Sequence, residues 1–168
     1  MEKITKVYEV YDFEELAENI KNNLIEVEKQ NQIEIYNEYS LYNDLQYEAG
    51  QLINKYFNKN NKIELDNLVY SFNYCQGDGG GFEFNGYYKN KFFRVKHCDN
   101  FYYYYKTFKI IDDWDFTDKE REQLEKKVYN MLKEFERIGW DLVNFVPDVE
   151  CCIEYLKKHK YLKDGTIF

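Results

Sequence analysis

The 168-residue sequence has little proline, little histidine and a deficit of positive charge, and these shortages exclude several classes of protein. It contains one Pro, two His and four Cys, and its 23 Lys and Arg stand against 31 Asp and Glu, for a net charge of −8. A protein that binds nucleic acid through its phosphates needs a basic face, and here the lysines are interspersed with acids. We therefore expect no direct binding of nucleic acid. The acidic surface either keeps the protein soluble or meets a basic partner.

Signals for export, membrane insertion and catalysis are also missing. No apolar run approaches the length of a membrane span, and the opening residues do not read as a signal peptide. The cysteines form no CxxC pair, so we expect reduced thiols and a cytoplasmic location. His97 and His159 lie on separate predicted elements, so we expect no catalytic residue, no metal site and no cofactor.

Aromatic residues are abundant, at 20% of the chain, and the hydrophobic fraction is 44%. This composition predicts a packed globule, which we interpret as a single domain over residues 1–168. Tyrosine dominates the aromatics, and its hydroxyl suits both the rim of a core and a protein interface.

Apolar periodicity predicts a strand over residues 3–10 and four helices. The first helix follows Asp12, carries Leu16, Ile20, Leu24 and Val27 on its apolar side, and ends near residue 29. The second covers about 38–57, and the last covers about 148–159. The third begins at the capping box of Thr117 and Glu120 and has the strongest apolar periodicity of the chain, as far as Ile138.

Between these helices the period changes to two. Strands are predicted over 67–75, 81–88, 91–97 and 101–111, and their short connections favour antiparallel neighbours. The fold class is therefore α+β, with a four-stranded antiparallel meander and helices packed mainly on one face.

Two polar segments are candidate sites. The first is the glycine loop of residues 76–81 (QGDGGG), which we interpret mainly as a hairpin in which Asp78 and Gly79 make the turn. A phosphate-binding loop would lead into a helix, whereas these glycines lead into a strand. The second is the acidic segment after residue 111, which reads as a polar connection into a capped helix. The candidate binding residues are Gln76, Asp78, Glu83, Asp112, Asp113, Asp115 and Asp118.

Several landmarks resemble an uncharacterised family of small phage and prophage proteins, sometimes described as antitoxin-like. They are residues 6–16 (KVYEVYDFEEL), 73–82 (NYCQGDGGGF), 96–105 (KHCDNFYYYY) and 161–165 (YLKDG). The resemblance implies a phage or mobile-element origin and a host-cell cytoplasm, and it implies no settled activity.

Three hypotheses remain open on the sequence. The first is an interaction protein, similar in action to an anti-CRISPR protein, that inhibits a host defence or nucleic-acid-processing complex by binding its basic surface. The second is a small enzyme, or a nucleotide- or metal-binding domain, that uses the QGDG loop and His97. The third is an antitoxin-like binding protein. A homodimer is compatible with each of them.

Overall fold

The computed structural model describes residues 7–57, 61–72, 78–97, 107–112 and 116–168. The described residues form two compact units, one from those within 1–38 and 145–168 and the other from those within 39–144. We call them the terminal unit and the sheet unit and describe each by itself.

The sheet unit contains four antiparallel strands in the order β1-β2-β3-β4. Their bounds are β1 Glu64–Ser71, β2 Gly79–Tyr88, β3 Lys91–His97 and β4 Phe108–Asp112. Each strand pairs with its neighbour in sequence, so the predicted meander and the α+β class are confirmed. β1 begins three residues before its predicted start at 67 and β4 ends one residue after its predicted end at 111, while residues 73–75 and 101–106 of the predicted strands lie outside the described residues.

Two helices pack on the sheet of this unit, α2 Leu41–Tyr56 and α3 Asp118–Val143. Cross-strand neighbours share a face of a sheet, and Phe84 pairs with Val95, which places both on the side that the helices cover. The ring of Phe82 lies edge-on to Phe135 of α3, with 5.0 Å between ring centroids. The buried core of the unit joins apolar positions of α2 and α3 to alternate strand residues. Its largest fully buried side chains are Leu45, Phe82, Phe84, Phe93, Val95, Leu124, Val128, Met131, Leu132 and Phe135.

The hairpin between β2 and β3 turns at Lys89 and Asn90, as the sequence predicts. Both residues have positive φ, 52° and 64°, which is the conformation of a type I′ turn, whose twist matches that of the flanking strands.

The glycine segment differs from its prediction. Gly79, Gly80 and Gly81 belong to β2 and pair with Ser71, Tyr70 and Val69, so Asp78 and Gly79 do not form the turn. A Cβ on Gly80 would lie 2.7 Å from Cζ of Phe72. The glycine therefore makes room for a buried ring instead of turning the chain. Residues 73–77 lie outside the described residues.

The terminal unit contains α1 Glu18–Ile35 and α4 Val149–Leu156, with a short 3₁₀ turn Phe13–Glu15 before α1. Its core joins Phe13, Leu16, Leu156 and Tyr161. Tyr161 forms isolated antiparallel bridges with Tyr11 and Ile167. The first predicted strand is wrong over residues 7–10, which have no strand conformation, and residues 3–6 lie outside the described residues.

The boundary between the first two helices is also displaced. α1 continues six residues beyond its predicted end, and a π-helical turn, Tyr36–Ser40, connects it directly to α2. Such π turns are frequent near functional sites.

Candidate interaction surface

The acidic residues that the sequence singles out do not form one surface. Asp78 follows the β1–β2 connection, and its carboxylate accepts a hydrogen bond from Oγ of Ser71 at 2.9 Å. The carboxylate of Glu83 accepts one from the backbone N–H of His97 at 3.1 Å. Glu83 also lies on the sheet face opposite to the one that α2 and α3 cover, because its neighbour Phe84 faces those helices. Both carboxylates thus make contacts that hold neighbouring strands in place.

Asp112 lies on the helix-covered face, opposite Phe93. Its side chain is only 4% exposed, and it forms an ion pair with the guanidinium of Arg121 on α3 at 2.7 Å. Asp118 is exposed at the first position of α3, where a carboxylate is favoured by the helix dipole. Gln76, Asp113 and Asp115 lie outside the described residues.

The capping box that begins α3 is formed as predicted. Oγ1 of Thr117 accepts from the backbone N–H of Glu120 at 3.3 Å, and the Glu120 carboxylate accepts from the backbone N–H of Thr117 at 3.1 Å. The same carboxylate lies 2.9 Å from Nζ of Lys91. The bond from Lys91, with that from Thr117, lowers the pKa of Glu120 to about 2.

His97 is the histidine of the sheet. Burial lowers its pKa, and the negative charge of Glu83 opposes this in part. Among the residues that the structure describes, no group of three or more His, Cys, Asp or Glu side chains is placed to hold a metal ion. The same residues contain no helix long and apolar enough to cross a membrane.

A row of acidic and amide residues is present on α1 instead. Five exposed residues follow one another at four-residue spacing, which makes each the neighbour of the next on the helix surface, and the row winds gradually around the helix. We call this set the acidic ridge; it comprises Glu18, Asn22, Glu26, Gln30 and Glu34. It contains only carboxylates and amides, and its three carboxylates span about 24 Å at 1.5 Å per residue.

Lysines flank the ridge without covering it. Lys21 pairs with Glu18 at 3.1 Å and Lys29 pairs with Glu26 at 2.6 Å, yet the two glutamate side chains remain 75% and 71% exposed. Exposed pairs of this kind contribute little to stability, so the carboxylates stay available to another partner.

The charge in the last turn of α1 is unfavourable for the stability of the helix. The last turn contains Glu34 and no basic residue, although the negative pole of a helix dipole favours cations there. The terminal unit as a whole has 14 Asp and Glu against eight Lys, for a net charge of −6, whereas the sheet unit has a net charge of −2. Most of the excess negative charge is therefore concentrated in the smaller unit.

Another side of α1 packs on the core of the terminal unit through Ile20, Leu24 and Ile25. The burial of two further residues differs from what helical periodicity predicts. Glu28 is 9% exposed, whereas Val27, which the periodicity places on the apolar side, is 50% exposed. The side-chain amide of Gln32 donates to the Glu28 carboxylate at 3.0 Å. Burial, with the nearby charge of Glu28, raises the pKa of Cys152 and of Tyr161. The hydroxyl of Tyr161 is satisfied by the carbonyl of Leu156 at 2.7 Å.

An uncharged aromatic face lies on α2 and the turn before it. Tyr39, Tyr42 and Tyr47 are all exposed, and Asn43 and Gln46 lie between them. Exposed tyrosines supply large contact areas at low entropic cost, as in many binding surfaces.

The sequence contained the signal for the acidic ridge. Its residues are the polar positions of the first predicted helix, one turn apart, and they are visible once the helix is extended past residue 29. The buried Glu28 had no such signal.

Comparison with known proteins adds no relative. No family model, no curated protein and no solved structure matches this chain. The resemblance to phage proteins therefore stays a prediction.

Proposed function

We propose that this protein is an acidic interaction protein of phage or mobile-element origin. It inhibits a host defence or nucleic-acid-processing complex, in the manner of an anti-CRISPR protein, by binding the basic surface that normally receives nucleic acid. The observation that carries the proposal is the acidic ridge of α1, a solvent-exposed row without a basic member. The resemblance to phage proteins gives the host context.

The ridge acts through long-range attraction. Complementary fields raise the association rate of two proteins, and the gain falls as salt screens the charges. α1 packs its apolar residues Ile20, Leu24 and Ile25 on the core of the terminal unit, so the helix that carries the ridge is already formed and only its side chains have to be ordered on binding. Tyr39, Tyr42 and Tyr47 of the sheet unit provide candidate anchors of the kind that dominates binding energy.

The test uses a purified RNA-guided effector complex loaded with its guide and its target DNA. We expect the protein to inhibit DNA binding or cleavage, with an inhibition that weakens as salt rises. Expression of the protein should also protect an infecting phage in cells that carry such a system. Absence of inhibition for every defence complex tried, together with absence of phage protection, would overturn the proposal.

Matched charge variants locate the surface. Replacing Glu26 and Glu34 by Gln neutralises two members of the ridge, and glutamine suits the site because Gln30 already lies between them. We expect association to slow about tenfold at low salt. The control replaces Glu64 by Gln and Asp141 by Asn, two exposed acids of the sheet unit, and changes the net charge equally. Equal losses in both variants would show that total charge matters and that the ridge does not.

A further inference from the structure

The strand β4 lies at one edge of the sheet. It pairs with β3 on one side, and no other strand of the described chain pairs with it. A groove of about 770 Å³ runs beside it, bounded by α3. Four consecutive residues of β4, from Phe108 to Ile111, line this groove. Consecutive strand residues point to opposite faces, so a groove that all four line must follow the open edge of the strand.

Half of the residues that line the groove are apolar, and the charges of the other half cancel. Phe108, Ile110, Ile111 and Tyr129 supply its apolar part, and two glutamates, Glu122 and Glu125, are matched by two lysines, Lys109 and Lys126. The chain as a whole has a net charge of −8, so most of its surface would repel another copy of itself. This neutral edge is a place where that repulsion is smallest.

The other edge of the sheet is protected. The pairing of β1 shifts register between Leu65 and Asn67, which is a β-bulge. The carboxylate of Asp66 at this bulge accepts a hydrogen bond from the amide of Asn85 at 2.7 Å. Bulges and charges at an edge strand prevent pairing with another chain. Of the two sheet edges that the described residues form, β4 alone is without such protection, so association through strand edges stops at two copies and does not continue into a fibre.

We propose that β4 is the interface of a homodimer, in which the β4 strands of two copies pair antiparallel about a two-fold axis at Ile110. The two sheets then join into one of eight strands. In this register Ile110 of one copy faces Ile110 of the second, and Ile111 faces Lys109 of the second. The same two-fold axis makes the α3 helices of the two copies antiparallel. Glu122 and Glu125 of one copy then approach Lys126 of the second.

The test is the mass of the full-length protein in solution, measured by light scattering and sedimentation over a wide range of concentration. We expect the mass to rise from the 20.6 kDa of one chain to twice that value. Ile111→Lys opposes Lys109 of the second copy at two symmetric places, and we expect the dissociation constant of the dimer to rise about 10- to 30-fold.

Two further variants make the result specific. Ile111→Glu sets an opposite charge against Lys109, so this variant should remain dimeric. Tyr87→Lys changes a similarly exposed aromatic residue in the interior strand β2, with 43% exposure against 53% for Ile111, and should also remain dimeric. A wild-type protein that stays monomeric at all concentrations would overturn the proposal. So would a Tyr87→Lys variant that dissociates like Ile111→Lys, or an extended segment of another protein that fills the groove of a monomer.

Discussion

Asp112 is a residue whose role in the structure differs from the role that the sequence predicts. In the sequence it belongs to a run of acids and is a candidate contact for a partner. In the fold its side chain is 4% exposed and 2.7 Å from the guanidinium of Arg121. A carboxylate in this position joins β4 to α3, and a binding role would require that ion pair to be broken.

Replacing Asp112 by Asn should lower the free energy of unfolding by about 1–3 kcal/mol, because the nearly buried side chain at this position loses its charge-assisted hydrogen bond with the guanidinium of Arg121. Urea unfolding measures the change. Asp118→Asn is the control, since that exposed side chain should alter stability by no more than about 0.5 kcal/mol. If both variants are equally stable, the ion pair does not contribute to the fold.

At the scale of elements, the two long helices of the sheet unit each contain one glycine, and the two glycines differ in what surrounds them. A Cβ on Gly50 of α2 would meet no atom within 4 Å, whereas a Cβ on Gly139 of α3 would overlap the ring of Phe72. The same ring lies edge-on to Trp140, with centroids 5.0 Å apart. The absence of a side chain at Gly139 therefore allows α3 to pack against the ring of Phe72. Gly50 has no such packing role and only lowers the helix propensity of α2.

Alanine at the two positions should have opposite effects. Gly50→Ala should stabilise the protein by about 0.5–1 kcal/mol through helix propensity alone. Gly139→Ala should destabilise it by about 1–3 kcal/mol, because the overlap with Phe72 outweighs the same propensity gain. Thermal unfolding of the two single variants measures both signs. A stabilising Gly139→Ala would mean that Phe72 can move aside without cost.

The beginning of α3 should make stability dependent on pH in the acid range. The ion pair with Lys91, together with the capping box, lowers the pKa of Glu120 from 4.5 to about 2. Its charged form therefore stabilises the folded state at every pH above the unfolded value, and this contribution is lost as the pH falls toward about 2.

Glu120→Gln removes the charge while it keeps an amide that can accept from Thr117. We expect the melting temperature of this variant to fall less than that of the wild type between about pH 5 and about pH 2. The exposed residue Glu122 on the same helix provides the comparison, as Glu122→Gln should retain the wild-type slope. Parallel curves for the wild type and Glu120→Gln would contradict the role of the ion pair.

At the scale of the whole molecule, the chain is divided into two compact units. The sheet unit is continuous in sequence, from Tyr39 to Asn144, whereas the terminal unit joins both ends of the chain. The sheet unit also contains the long α3 helix, all four strands and the largest group of fully buried side chains. These features are those of a segment that can fold alone.

We expect the fragment of residues 39–144 to fold by itself. Its urea unfolding should be a single cooperative transition, and its aromatic residues should give a fixed near-ultraviolet circular dichroism signal. A fragment with helical content but without that signal would be a molten globule, and the core of the sheet unit would then depend on the rest of the chain. The single domain inferred from length stays a prediction that the same experiment tests.

Local patterns predicted much of the architecture. The positions of α2 and α3 in the chain follow from helical spacing, the turn at Lys89 and Asn90 follows from the short break between two alternating runs, and the capping box follows from Thr117 and Glu120. These features depend on residues that are close in sequence. The candidate site was less predictable, because the density of acids in a segment does not show which carboxylates pair inside the fold, and the acids of the ridge are spread along a whole helix.

The sequence by itself determined the identity and order of most elements, the antiparallel meander and the excess of negative charge. Only the tertiary structure decided which side chains those elements bury. It placed Glu28 inside and Val27 outside, paired Asp112 with Arg121, and used Gly80 and Gly139 to admit the ring of Phe72. The physical reason is the same in each case. Periodicity fixes the side of an element on which a residue lies, but burial and pairing depend on groups that are distant in sequence and meet only when the chain has folded.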